Sequence, residues 1–80
     1  MPRGISNWTY KDVAAFLKDN GFSFHKTLPG SHEQWLSQDE KYMVDVNFIQ
    51  GNESYRERTL ESMIRDSGLS KKEWRNWAGK

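Results

Sequence analysis

Residues 22–37 read FSFHKTLPGSHEQWLS, and this stretch decides the fold. Pro29-Gly30 at its middle is turn chemistry: proline presets φ, and glycine accepts a positive φ at no steric cost. Side chains alternate on both sides of the turn. Over residues 22–27, Phe22 and Phe24 share one face and Ser23 and His25 the other. Residues 31–37 form a second strand whose largest apolar side chain, Trp35, belongs in the core. Period-two alternation then puts His32 and Gln34 on the opposite, open face. After a polar turn, Gln38-Asp39-Glu40, a third strand runs from Lys41 to Phe48. Tyr42, Val44, Val46 and Phe48 share one of its faces against Met43, Asp45 and Asn47. The links are short enough for antiparallel hairpins.

Helices flank this sheet. Thr9 caps the first, with Asp12 three residues on as a weaker capping box, and Trp8 and Val13 are spaced as a hydrophobic staple. Val13, Phe16 and Leu17 make one buried stripe over residues 10–20. Gly21 ends the helix, with Phe22 folding back on Leu17. After a loop, Gln50-Gly51-Asn52-Glu53-Ser54, a second helix over residues 58–67 buries Leu60, Met63 and Ile64. Gly68-Leu69 repeats the earlier ending. Ser70-Lys71-Lys72-Glu73 is a full capping box, stapled by Leu69 and Trp74, for a short terminal helix bearing Trp74 and Trp77. Trp77 has no local structural role in this reading. The order is α-β-β-β-α plus a short C-terminal helix. It predicts a single α+β domain over residues 1–80, with a three-stranded antiparallel sheet and helices packed on one face.

Eighty residues hold one modest core, and no cysteine helps to staple it. Aromatic residues reach 14%, with four tryptophans, and take the place of scarce leucine and isoleucine. Met1 to Asn7 lacks the apolar core of a signal peptide, and no apolar run approaches the roughly 18 residues of a membrane span. A cytoplasmic protein is the expectation. The formal net charge of +1 is unevenly spread: Met1 to Glu53 is net −2 and Ser54 to Lys80 is net +3. A protein holding duplex nucleic acid by charge alone is usually more basic.

Double-stranded RNA-binding domains use the same element order, which supports RNA binding by analogy only. The residues go further. Asp12-Val13 through Leu17 with Asn20-Gly21-Phe22, then Gly30-Ser31-His32 entering a strand, then Arg58-Thr59-Leu60-Glu61-Ser62-Met63-Ile64 through Ser67-Gly68-Leu69, together resemble the HicA toxins, the mRNA interferases of HicA–HicB toxin–antitoxin pairs. The resemblance spans residues 10–74. It implies a dsRBD-like fold, a toxin that cleaves mRNA with His32 as its catalytic residue, a HicB-type antitoxin as protein partner, and a free chain that is monomeric. The sequence departs from the family twice. Pro29 stands where a lysine usually precedes Gly-Ser-His, so a phosphate-facing cation is either missing there or supplied by Lys26 from the neighbouring strand. Asp45-Val46-Asn47-Phe48 stands where many members carry a proline and a histidine.

RNA supplies its own nucleophile, the 2′-hydroxyl beside the scissile phosphate. Cleavage needs that proton removed and the leaving 5′-oxygen protonated, and an imidazole with its ordinary pKa near 6.5 can do either. A half-exposed strand histidine is more often only that, so the tripeptide gains its meaning from the longer resemblance. His25 is either a second proton carrier or a polar strand residue. Ser31 either hydrogen-bonds a phosphate oxygen or ends the turn, and Gly30 beside it is a further candidate RNA contact. Lys26, Arg56 and Arg58 are candidate phosphate contacts or solvated surface. Asp39, Glu40 and Asp45 are scattered, so neither a metal site nor any other cofactor is expected. The alternative from another class is a non-catalytic RNA-binding or regulatory module on the same scaffold.

Overall fold

A computed structural model describes residues 7–51 and 53–78. Helix α1 covers Tyr10–Asp19, strands β1, β2 and β3 cover Phe22–Leu28, His32–Ser37 and Met43–Asn47, and helices α2 and α3 cover Glu57–Ser67 and Lys71–Ala78. The strands form one antiparallel sheet in the order β1-β2-β3. The expected α+β layout is therefore the observed one, with β3 shorter than residues 41–48.

The local signals act as the chemistry requires. Thr9 accepts from the Asp12 N–H while the Asp12 side chain accepts from the Thr9 N–H, completing the capping box. Ser70 and Glu73 do the same for α3. Gly68 ends α2 with φ 74, in the left-handed region that glycine occupies without strain. In the turn between β2 and β3, Asp39 Oδ1 accepts from Ser37 Oγ and the Lys41 N–H. These bonds, Ser37 first, hold the Asp39 carboxyl below its usual range.

One core joins the helices to one face of the sheet. It contains Val13, Phe16 and Leu17 of α1, Phe22, Trp35, Val44 and Val46 of the strands, and Leu60, Met63 and Ile64 of α2. Tyr42 and Phe48 lie on the helical face but at its margins, where each is more than two-fifths exposed. Tyr42 covers Gly68, and Phe48 meets Tyr10 edge to face. Phe24 also faces the helices but is half exposed, its ring edge-on to Trp35.

Trp77, which sequence left without a role, has one. Trp8, Phe16, Trp74 and Trp77 form a single aromatic cluster that docks α3 onto α1, and Trp77 Nε1 donates to Asp19 Oδ2. Trp74 Nε1 donates to Ser67 Oγ, satisfying the indole within the core. Among the described residues no helix is long and apolar enough to cross a membrane.

Candidate active site

Register fixes what the open face of the sheet displays, because directly opposed residues share a face. At one end Leu28, His32 and Asn47 lie abreast. Next come Lys26, Gln34 and Asp45, and then Ser23, Leu36 and Met43. Trp35, paired with Phe24 and Val44, is on the other face and buried. His32 is thus opposite to Trp35 and open to solvent, as the alternation predicts.

His32 sits where the turn enters β2. Gly30 has φ 83, the value that follows proline in a type II turn, and Ser31 also has a positive φ, 64. A left-handed conformation costs an L-residue roughly 1–2 kcal/mol, so Ser31 holds strain immediately before the histidine. The Ser31 carbonyl accepts from the Phe48 N–H at 2.8 Å, which clamps the turn to the end of β3. A Cβ on Gly30 would lie 3.4 Å from His32 Cδ2 and 3.9 Å from Nε2, in ordinary contact, so the imidazole rests beside the glycine and only the backbone φ demands one.

The residue that sequence reading missed is Asp45. Its Oδ1 lies 2.9 Å from His32 Nδ1. The two are diagonal neighbours across β2 and β3: Asp45 opposes Gln34, and His32 opposes Asn47. A carboxylate can only accept, so Nδ1 carries the hydrogen and the neutral ring presents a basic Nε2. The side chains are 45% and 54% exposed, which leaves the pair reachable by a large substrate. The signal for Asp45 was available in the strand alternation, which placed it on the face of His32. What was missing was the register that makes them neighbours.

The other candidates disperse. The pairing of β1 with β2 shifts between Phe24 and Lys26, leaving His25 as a bulge residue. His25 lines a cavity of about 530 Å³ with Ser23, Leu36, Gln38 and Glu40, away from the His32 turn. Lys26, beyond the bulge, faces Gln34 on the open face, one position from the row of His32. Arg56 caps α2 and Arg58 lies in its first turn, in the layer behind the sheet. Among the described residues neither guanidinium pairs with His32 or Asp45, and no three His, Cys, Asp or Glu side chains gather as a metal-holding group.

Behind the histidine the sheet is braced. Glu33 Oε1 accepts from the Tyr10 hydroxyl at 2.7 Å and from Trp35 Nε1 at 3.1 Å. Burial, followed by the hydrogen bond to Glu33 and its charge, pushes the Tyr10 phenol up to about 12. Tyr55 donates its hydroxyl to the carbonyl of Asn47, the residue opposite His32. Its phenol is also pushed up, by burial first and then by the charges of Tyr10 and Glu33. The neighbour of His32 along the strand is therefore tied to α1 through Tyr10, and the one across it to the buried Tyr55 of the segment before α2.

No protein-family model, curated protein or solved structure matches this chain.

Proposed function

We propose that this protein is a cytoplasmic toxin of a toxin–antitoxin pair, a metal-independent endoribonuclease of the HicA type that cleaves mRNA. The observation that carries the reading is the pairing of His32 Nδ1 with Asp45 Oδ1, with the imidazole beside Gly30 on an open sheet face. His32 Nε2 takes the proton of the 2′-hydroxyl. The 2′-oxygen attacks the neighbouring phosphorus, the bond to the 5′-oxygen breaks, and that oxygen takes a proton from the imidazolium. Asp45 holds the ring in the tautomer that leaves Nε2 basic and stabilises the imidazolium once it forms. Ser31, next to His32 in the turn, and Lys26, opposite Gln34 on the same sheet face, are the groups assigned to the phosphate oxygens. Asp45 orients and stabilises the single imidazole but does not replace a second proton carrier, so His32 acts first as base and then, as imidazolium, as acid. The protein partner is a HicB-type antitoxin.

The test uses the purified chain, a structured mRNA and excess chelator. Cleavage should persist and leave 2′,3′-cyclic phosphate and 5′-hydroxyl ends. Activity lost in chelator and restored by Mg²⁺ or Mn²⁺ would overturn the mechanism, because the metal would then be activating the nucleophile. Binding of RNA with no cleavage at any concentration would instead make the chain a non-catalytic module.

A further inference from the structure

A groove lies on the other layer, between the outer side of α1 and the free edge of β1. It encloses about 450 Å³ and is lined by Tyr10, Lys11, Ala14, Ala15, Lys18, Phe24 and Trp35. That volume falls within the roughly 300–1,000 Å³ of ordinary small-ligand sites. The groove exists because α1 presents Ala14 and Ala15 there; a larger side chain at either position would fill it. Its sheet wall is aromatic. Phe24, half exposed, stands edge-on to Trp35 with ring centroids 6.1 Å apart. An exposed aromatic ring beside small residues is a stacking surface in want of a flat partner.

The groove is flanked by cations. Lys11 and Lys18 are both exposed and lie two helical turns apart, roughly 10 Å along the axis, one near each end. Among the described residues neither has a carboxylate partner. The Lys18 ammonium lies 5.9 Å from the centroid of the Trp35 ring. The carboxylate within reach of the wall, Glu33, is occupied by the Tyr10 hydroxyl and the Trp35 indole. An apolar, aromatic-walled slot with a positive charge at each end complements a planar ring between two phosphates.

We infer that this groove holds a nucleotide of single-stranded RNA, its base against Phe24 and its flanking phosphates on Lys11 and Lys18. The occupant is a strand rather than a free mononucleotide, because two separate cations line the groove and a strand offers each of them a phosphate, one on either side of the base. The site lies across the β1 edge from His32. Phe24 faces the groove and Lys26, two residues on, faces the open side of the sheet, with the His25 bulge turning the strand between them. A strand leaving the groove over this edge reaches Lys26 and then the His32 turn. The inference deepens the ribonuclease reading by adding a substrate-holding subsite, but binding at the groove requires no cleavage.

The experiment measures binding in the His32→Ala background, so that chemistry plays no part. A fluorescently labelled, unstructured RNA ten-mer is titrated by anisotropy into the full chain and three further variants. Ala15→Leu fills the groove while keeping a good helix former, Lys11→Ala with Lys18→Ala removes both charges, and Phe24→Ala removes the stacking ring. Each should weaken binding at least fivefold, with unchanged circular dichroism. The lysine variant should also flatten the dependence on salt by about two phosphate contacts' worth. Ala15→Leu and the lysine variant both binding like their parent would overturn the inference, as would failure of the parent to bind RNA. A concentration-dependent dimer lost on Ala15→Leu would also overturn it, by making the groove a contact between copies of the chain. If the groove variants lose binding while protein with His32 intact never cleaves, the subsite stands and the ribonuclease reading falls. If they bind normally and intact His32 still cleaves, the reverse holds.

Discussion

At His32 the imidazole can be separated from the strand that carries it. His32→Ala leaves the turn, Trp35 and both helix stripes in place, and its half-exposed side chain makes one hydrogen bond to an equally exposed carboxylate. Stability should change by no more than about 0.5 kcal/mol, while cleavage falls by roughly 10²–10⁴-fold and growth arrest is lost. Antitoxin binding should survive, since a protein interface covers far more surface than one ring. A folded variant that cleaves at the wild-type rate removes His32 from the mechanism. Asp45→Asn should give a smaller loss in kcat than His32→Ala, because the amide carries no charge to stabilise the imidazolium and can turn its NH2 toward Nδ1, favouring the tautomer with a protonated Nε2, while the imidazole itself remains. Equal losses in kcat for the two variants would mean that Asp45 does more than orient. Gly30→Ala tests the turn beside the ring. The backbone at φ 83 disfavours any Cβ by about 1 kcal/mol, while the new methyl would make ordinary contact with His32 Cδ2. Thermal unfolding should move down by roughly 4–8 °C, with kcat changed only as far as the strained turn shifts the ring.

At the scale of the element, α3 shows how a short helix becomes part of a core. Eight residues are too few to hold a helix in water alone, so its stability must come from its cap and its docking. Two substitutions apportion these. Ser70→Ala removes one half of the capping box and should cost about 1 kcal/mol. Trp74→Ala empties the centre of the aromatic cluster and leaves Ser67 Oγ without its indole donor. It should cost about 3–5 kcal/mol, a large part of the roughly 5–15 kcal/mol that holds a small domain folded. Urea unfolding reads both. A Trp74→Ala midpoint no lower than that of Ser70→Ala would show that the rings hold α3 no better than its cap does. Sequence had the cap and the buried Trp74 in view, since both follow local spacing. It missed the role of Trp77, because that indole is satisfied by Asp19, which is far away in the chain.

For the whole molecule, the phenols of Tyr10 and Tyr55 link stability to alkaline pH. Both are raised above the ordinary value of 10, Tyr10 to about 12. Between pH 10 and 12 the unfolded chain has released protons that the folded chain retains. Stability from these groups is therefore complete below pH 10 and declines as pH rises toward the folded values. Unfolding temperature should be flat from pH 8 to 9.5 and fall above pH 10. The combined Tyr10→Phe and Tyr55→Phe variant should show a shallower fall, whatever its stability at neutral pH. A parallel fall in the two proteins would assign the alkaline transition to other groups.

Local chemistry along the chain set the elements and their faces. Capping boxes, helix-ending glycines and period-two alternation are local, so Thr9 with Asp12, Ser70 with Glu73, Gly68, and the opposition of His32 to Trp35 could all be read from neighbours in the chain. Only the tertiary structure decided which open-face residues meet. Alternation gives the parity of a strand but not its offset against the next, and that offset puts Asp45 diagonal to His32. A bulge likewise breaks parity without marking the sequence, which is why His25, readable as a second proton carrier or as a polar strand residue, is not brought to His32. The groove beside Phe24 is a third case. Two alanines on a helix declare nothing until the packing angle of α1 leaves the space above them open.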